Sequence, residues 1–330
     1  MSGKENKHLP DTRIRSVQRQ NVGAVLVQQA ELATLVRYNS LRHRSSSRQK
    51  LTDKKRFEEG MMNSCHSVIW SLIGCTILFW PLDRATGQDP MDLVDLTSDE
   101  MTKPELTREE LLAILSSATA DARIDLTSKR LSGLDLRNVD FRGANLRWAR
   151  LNNTDLRGAN LRDTILDSAW LLSANLERAD LRGASLASTQ MRRANLRDAN
   201  LSGARIVADL QRADLRGADL SNANMGADMK NQSMGLMRTV LRMATLDGAD
   251  MRNVNALRMD AEFASMRGAL LDNANFRGAD LTGADLTKAS VTGLDLSGSD
   301  VSGAYLVQLI GKEKIIGLDE AKNLAEAVVE

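Results

Sequence analysis

The chain of 330 residues sets 44 basic against 43 acidic side chains, a net charge of +1, and only 3% of it is aromatic. Its three histidines, His8, His43 and His66, and its two cysteines, Cys65 and Cys75, all lie in the first quarter. That leaves the rest without Cys/His metal spacing or a cysteine or histidine for nucleophile–base chemistry.

The near-neutral total hides a segregation of charge. Residues 1–66 carry about +7, residues 67–125 about −7 and residues 126–206 about +6. The basic segment 1–66 is expected to be partly helical or disordered, with Val22, Val25, Leu26, Leu32, Leu35 and Val36 spaced for one helix over 17–37. Residues 67–82 hold no charge and are apolar on every side. As a helix this run covers ~24 Å at 1.5 Å per residue, and Met61–His66 with Trp70 and Trp80 at the interfaces extend it toward a bilayer's thickness. It reads as a single transmembrane helix; the alternative is a buried helix packed on the rest of a soluble cytoplasmic protein. Arg42, Arg44, Arg48, Lys50, Lys54, Lys55 and Arg56 precede it, and Asp83, Asp89, Asp92 and Asp95 lie beyond it. Positive-inside then places the N-terminus in the cytoplasm and the remainder across the membrane. A signal peptide is disfavoured by the late start of the run, and lipidation in Leu72-Ile73-Gly74-Cys75 by the apolar residues after Cys75. Glu5, Asp11, Glu31 and Asp53 weigh against an organelle transit sequence.

An acidic linker over 83–104 leads to a helix expected over 105–122. Thr107 as N-cap with Glu110 three residues on makes a capping box, and Leu106 and Leu111 are placed for a hydrophobic staple. Leu111, Leu112, Ile114 and Leu115 should pack toward the segment beyond the helix.

Residues 124–306 count in fives. A large apolar residue recurs at every fifth position, with Ala two before it and Asp or Asn immediately before it, as in Ala144-Asn145-Leu146, Ala159-Asn160-Leu161 and Ala179-Asp180-Leu181. A period of five fits neither helix nor strand. If each pentapeptide forms one short side ending in a tight bend, four sides close a coil, and residue n lies against residue n+20 at the ~4.8 Å strand spacing. Calling the large residue position i, the Leu row (Leu126, Leu131, Leu136, Phe141, Leu146 and onward to Met191 and Ile206) fills the axis. Ala at i−2 points inward, positions i−1, i+1 and i+2 face water, and Gly143, Asn153, Gly158, Gly183 and Gly203 at i+2 suit the bends. These motifs resemble the pentapeptide repeat family. The resemblance implies an all-β solenoid, the right-handed quadrilateral β-helix, with short capping helices at its ends.

The phase slips after Ile206, where Asp209-Leu210, Asp214-Leu215, Asp219-Leu220 and Asn224-Met225 run one residue early, and returns by Leu236 and Leu241. Ile206–Leu210 and Met225–Leu236 are therefore expected to be irregular bends or a bulge. Met225, Met229, Met234, Met237, Met243, Met251, Met259 and Met266 cluster there as flexible fillers of an uneven core; a Met-lined groove is the alternative. A C-terminal cap over 307–330 should carry an amphipathic helix at Asp319–Val329 with Leu324, Ala327 and Val328 on one face. By resemblance, protomers could pair through this end into a homodimer.

The many Asp residues recur with the coil, which fits backbone-bonding edge residues better than acid/base pairs. No catalytic, cofactor-binding or metal site is therefore assigned, and a non-enzymatic protein is expected. What remains is a surface. The twenty-residue rule stacks Arg142, Arg162 and Arg182 in one column and Arg137, Arg157 and Arg197 in the next, where Glu177 interrupts; beside Asp140, Asp155 and Asp180 these form either a solvated structural ladder or a stripe for an anionic partner. Trp148 and Trp170, with Leu172 and flanked by Arg147 and Arg150, form a candidate partner hot spot unless covered by the N-terminal segment. Some relatives by resemblance mimic DNA with a strongly acidic face and bind type II topoisomerases; these arginine ladders point the other way and weigh against nucleic-acid enzymes and nucleic acid as partners. The expectation is a membrane-anchored scaffold for a protein partner, with the membrane contacted through 67–82.

Overall fold

The computed structural model describes residues 94–117, 123–227 and 238–329. The chain divides into two compact units, Met1–Val94 and Asp95–Glu330, and the repeats belong to the second. The uncharged run 67–82, the basic segment 1–66 and most of the acidic linker lie outside the described residues, among which no helix is long and apolar enough to cross a membrane.

The pentapeptide period becomes a coil through one repeated turn. The Leu156 carbonyl accepts from Ala159 N at 3.0 Å, closing a four-residue turn whose third residue, Gly158, has φ +64°. A positive φ at that place is the mark of a type II turn and favours Gly or Asn. Between turns the backbone bonds outward to its neighbours. Leu161 N donates to Asp180 O (2.7 Å), Gly158 N to Glu177 O (3.0 Å), and Asn160 N reaches back to Val139 O (2.9 Å). Parallel bridges accordingly join residues twenty apart, as along Asp125, Asn145, Ile165 and Ser185. The Leu row is buried from Leu126 to Leu306 and the Ala row from Val139 to Ala304, and the i−1 residues are mostly half-buried in the ladder. Four short sides per turn thus enclose one continuous apolar axis.

The slip in phase is a bulge. Strand β1 (Ser185–Gln190) pairs in parallel with β2 (Arg205–Asp209), in register from Ser185↔Arg205 to Ala187↔Val207 and then shifted so that Gln190 meets Asp209. Ile206, Val207 and Ala208 are all buried, and the side runs straight through where a corner would stand. One residue is lost, so the next bridges, such as Asn195↔Asp214, span nineteen. The coil after that closes around extra chain: Asp209↔Val240 and Asn224↔Asn255 are 31 apart, and residues 228–237, including Leu236, lie outside the described residues. Buried Thr239 anchors the return, its hydroxyl meeting the carbonyls of Ile206 and Met225.

Core repair by methionine holds for Met225, Met251, Met259 and Met266, which are fully buried. At two Leu positions stand Ala256 and Ala261, and Met259 between them occupies an Ala position, restoring the volume. Met243 departs from the expectation: it is 47% exposed. Met229, Met234 and Met237 lie outside the described residues.

At the N-terminal end the capping box is present. A four-residue helix α1 (Asp99–Thr102) stands inside the expected linker, and helix α2 (Arg108–Ser116) begins at Thr107. The Thr107 hydroxyl accepts from Glu110 N (3.2 Å) while Thr107 N donates to the Glu110 carboxylate (2.8 Å). Helix α2 is shorter than the expected 105–122, with Ser117 as its C-cap. Leu111 is buried and Ile114 and Leu115 pack on the core, whereas Leu112 turns outward at 38% exposure. Buried Met101 in α1 offers its carbonyl to Asn152 Nδ2 (3.2 Å), so the cap begins ahead of residue 105. Both elements cover coil edges that would otherwise stay unpaired.

At the other end the expected helix over Asp319–Val329 is absent. The ladder continues instead, with Ile310, Ile316 and Lys322 bridging Ser290, Asp295 and Asp300, and strand β4 (Val328–Val329) pairing with β3 (Tyr305–Leu306). Three successive sides of this coil, beginning at Ile310, Ile316 and Lys322, have six residues. The extra residue is absorbed at left-handed Gly311, Gly317 and Asn323, two of which open the 3₁₀ turns Lys312–Lys314 and Leu324–Glu326. Leu309, Ile315, Leu318, Ala321, Leu324 and Ala327 pack on the core. A helix bonds its own backbone and would leave the last five-residue coil without partners; a wider coil supplies them. The terminal helix by which the resemblance would allow protomers to pair is therefore not formed.

Candidate functional site

The ladder sets the long side chains of positions i+1 and i+2 in columns on four sides. Arg142, Arg162 and Arg182 succeed one another on the side of Asp140, Asn160 and Asp180. Arg137, Arg157, Glu177 and Arg197 do so on the side of Asp135, Asp155, Asn175 and Asn195, as the twenty-residue rule requires.

Most of these arginines are not free cations. In the motif Asp-x-Arg the carboxylate at i−1 accepts from the backbone N of i+1 and from the same residue's guanidinium, because in this turn both side chains leave one side of the coil. The ion pairs are short: Arg137–Asp135 2.5 Å, Arg157–Asp155 2.6 Å, Arg182–Asp180 2.5 Å, Arg216–Asp214 2.5 Å, Arg252–Asp250 2.5 Å and Arg142–Asp140 3.1 Å. Where Asn stands at i−1, as at Asn160 and Asn195, Arg162 and Arg197 have no carboxylate within ion-pair distance among the described residues, and Arg162 Nε is buried without a partner. The basic stripe is thus mainly a self-neutralised ladder, each exposed pair screened by solvent and contributing little to stability.

The neighbouring guanidinium, through its hydrogen bond, holds the carboxyls of Asp135, Asp155, Asp180, Asp214 and Asp250 below the ordinary carboxylate range. A carboxyl whose folded pKa is depressed stabilises the fold above its unfolded pKa of ~3.9 and loses that contribution as pH falls through the folded value. The melting temperature at low ionic strength should therefore be level from pH 7 to pH ~4.5 and decline below ~4. A variant with these five Asp changed to Asn should melt lower at pH 7 and show a shallower decline. A wild-type melting temperature unchanged down to pH ~2 would contradict this role for the pairs.

The tryptophan site is only partly assembled. Trp148 occupies a corner at φ +55° and is 56% exposed. Trp170 lies in the ladder on the adjoining side, between Arg150 and Gln190, and is half-buried, as is Leu172, whose N donates to Asn152 Oδ1 (3.0 Å). Arg147 and Arg150 are engaged with Asp167 and Glu100, both at 3.3 Å. Among the described residues no group of His, Cys, Asp and Glu is placed to hold a metal ion.

The twenty-residue rule misses the rows that cross the bulge and the return. At the corner of the side carrying Arg130 and Arg150, the i+2 residues on successive coils are Arg193, Arg212, Met243 and Phe263, all exposed. They are 19, 31 and 20 residues apart, and only the bulge and the long return bring them into line.

A family model described as pentapeptide repeats matches in eight copies over residues 124–171, 174–207, 208–230 and 264–303. No curated protein matches the sequence. Among solved structures the chain is similar to HetL, a pentapeptide repeat protein involved in heterocyst differentiation regulation in the cyanobacterium Nostoc sp. strain PCC 7120. The two are 28% identical, over 68% of this chain and 94% of HetL, with a TM-score of 0.33. It is also similar to alr5209, a pentapeptide repeat protein of the same organism, at 33% identity over 40% of this chain and 95% of that one, with a TM-score of 0.26. QnrB1, a plasmid-mediated fluoroquinolone resistance protein, is 16% identical over 58% of this chain and 90% of its own, with a TM-score of 0.25.

Proposed function

Since the chain belongs to the pentapeptide repeat family, whose fold is the right-handed quadrilateral β-helix, we propose that it is a non-enzymatic scaffold for protein–protein interaction, held to a membrane by residues 67–82. Family members are in general structural or regulatory proteins, which supports the first part of this reading. The observation that carries it is the unbroken ladder from Asp125 to Lys322. A backbone bonded on both sides at every coil cannot close around a small substrate, but it holds outward side chains at fixed ~4.8 Å steps, which suits recognition by a second macromolecular surface. The arginines left without carboxylates, Arg162 and Arg197, and exposed Trp148 are anchors of the kind that dominate protein interfaces.

The anchor rests on the uncharged run and on the basic and acidic residues flanking it, which orient the N-terminus to the cytoplasm and the solenoid to the opposite side. Carbonate washing of membranes from cells expressing the full chain should leave it in the pellet, and protease added to the cytoplasmic side should remove the N-terminus and spare the repeats. Release into the wash would remove the anchor and leave the scaffold in a soluble form.

A further inference from the structure

We propose that the corner formed by Arg193, Arg212, Met243 and Phe263 docks an extended acidic protein segment bearing an apolar residue. This deepens the scaffold reading and rests on it. The four residues stack on consecutive coils: Arg193 N donates to Gln211 O (3.0 Å), Arg212 N to Arg242 O (2.9 Å), Met243 N to Glu262 O (2.9 Å) and Phe263 N to Thr282 O (2.8 Å). Their φ values are +59°, +59°, +56° and +56°. Side chains this large are uncommon in the left-handed region, where Gly, Asn, Asp and Ser are the inexpensive choices. The same corner obeys that preference at its two ends, with Gly133, Asn153 and Ser173 before these four and Gly283 and Gly303 after them. None of the four serves the core: Met243 is 47% and Phe263 53% exposed, the Phe ring lying over Gly283, where any added Cβ would collide with it. Apart from the Phe ring's contact over Gly283, these four strained places face solvent, and strain kept there points outward.

Charge selects the occupant. Four carboxylates beside this corner are already engaged: Asp209 with Arg192 (2.6 Å), Asp214 with Arg216 (2.5 Å), and Asp260 and Glu262 with Arg242 (2.8 and 3.2 Å). Arg193 and Arg212 have no carboxylate within ion-pair distance among the described residues, so two cations stand next to two exposed apolar side chains. The row is three coil steps long, ~15 Å, which four or five extended residues span. The complementary segment carries its carboxylates over the arginines and an apolar side chain about three residues further, over Met243 and Phe263. A nucleic acid also meets arginine and aromatic groups, but it needs many unpaired cations. Here most arginines are neutralised in ion pairs.

The test uses the full chain and fluorescence anisotropy with a short labelled peptide of alternating Asp and Ser containing one Phe. Its Lys counterpart and a single-stranded oligonucleotide serve as comparison probes. The acidic peptide should bind best, and the variant R193N/R212N/M243N/F263N should weaken it at least tenfold. Asn is at home at this φ, as Asn153 and Asn273 show in the same chain, so the variant should melt no lower than wild type and lost binding cannot be put down to unfolding. Unchanged binding in the variant, equal binding of the Lys peptide, or tighter binding of the oligonucleotide would each overturn the proposal. If Trp148→Asn abolishes binding while the corner variant keeps it, the corner is wrong and the scaffold reading stands.

Discussion

Leu181→Ala is expected to destabilise the solenoid by about 2–5 kcal/mol in urea unfolding, whereas Arg182→Ala, one residue along, should leave stability nearly unchanged. Leu181 is fully buried, between Leu161 and Leu201 in the stack and beside Ala179 and Ala184. Collapse around the lost isopropyl group would require the coil to narrow. It cannot narrow readily, because Leu181 N is bonded to Asn200 O (2.7 Å) and Asp180 N to Ala159 O (2.9 Å), with equivalent bonds on every other side. The cavity therefore persists, which places the substitution toward the costly end of the range. Arg182, by contrast, loses only a half-exposed pair with Asp180 at 2.5 Å. Because each coil touches only its neighbours, Leu181→Ala should also raise amide exchange most in the coils around 161–201 and least near 281–306. Equal effects of the two substitutions would mean that the leucine axis is not what holds the coils together.

Deletion of residues 307–330 should make the chain associate end to end. The six-residue coil pairs with the last five-residue coil on all four sides, at Ser290↔Ile310, Asp295↔Ile316, Asp300↔Lys322 and Tyr305↔Val328. Removing it frees a closed row of N–H and C=O groups and uncovers the apolar axis at Val291, Leu296, Val301 and Leu306. An unpaired edge around an apolar end is a template for another chain. Light scattering should show concentration-dependent growth of the truncated protein, with a melting temperature well below that of the full chain. A truncated protein that stays monodisperse and melts unchanged would show that the terminal coil is dispensable.

How far the sequence spoke for the fold depended on whether one turn geometry was repeated. Over 124–206 the Leu, Ala and Asp/Asn rows state the coil plainly, because each residue type answers one place in the turn, and Thr107 with Glu110 announced the helix start for an equally local reason. The C-terminal coil reads as a helix because Leu324, Ala327 and Val328 fall on one helical face; Val328 is in fact exposed, and only the bridges at Ile310, Ile316 and Lys322 reveal a period of six. The neutralised arginines were half legible. Asp-x-Arg is written in the sequence, but that residues two apart share a side of the coil is a property of the turn. The Arg193–Phe263 corner was out of reach, since a fixed count of twenty loses alignment at the bulge and again at the long return.

That return has a use of its own. The coil leaves its path near Ala227 and rejoins it at Arg238, and the ladders on either side, Asn224↔Asn255 and Asp209↔Val240, close as if nothing had been inserted, with the Thr239 hydroxyl clasping the neck. Foreign cargo whose two ends lie side by side can be spliced into this position, an epitope or a small reporter domain for instance, and the fold would carry it as a mast carries a flag.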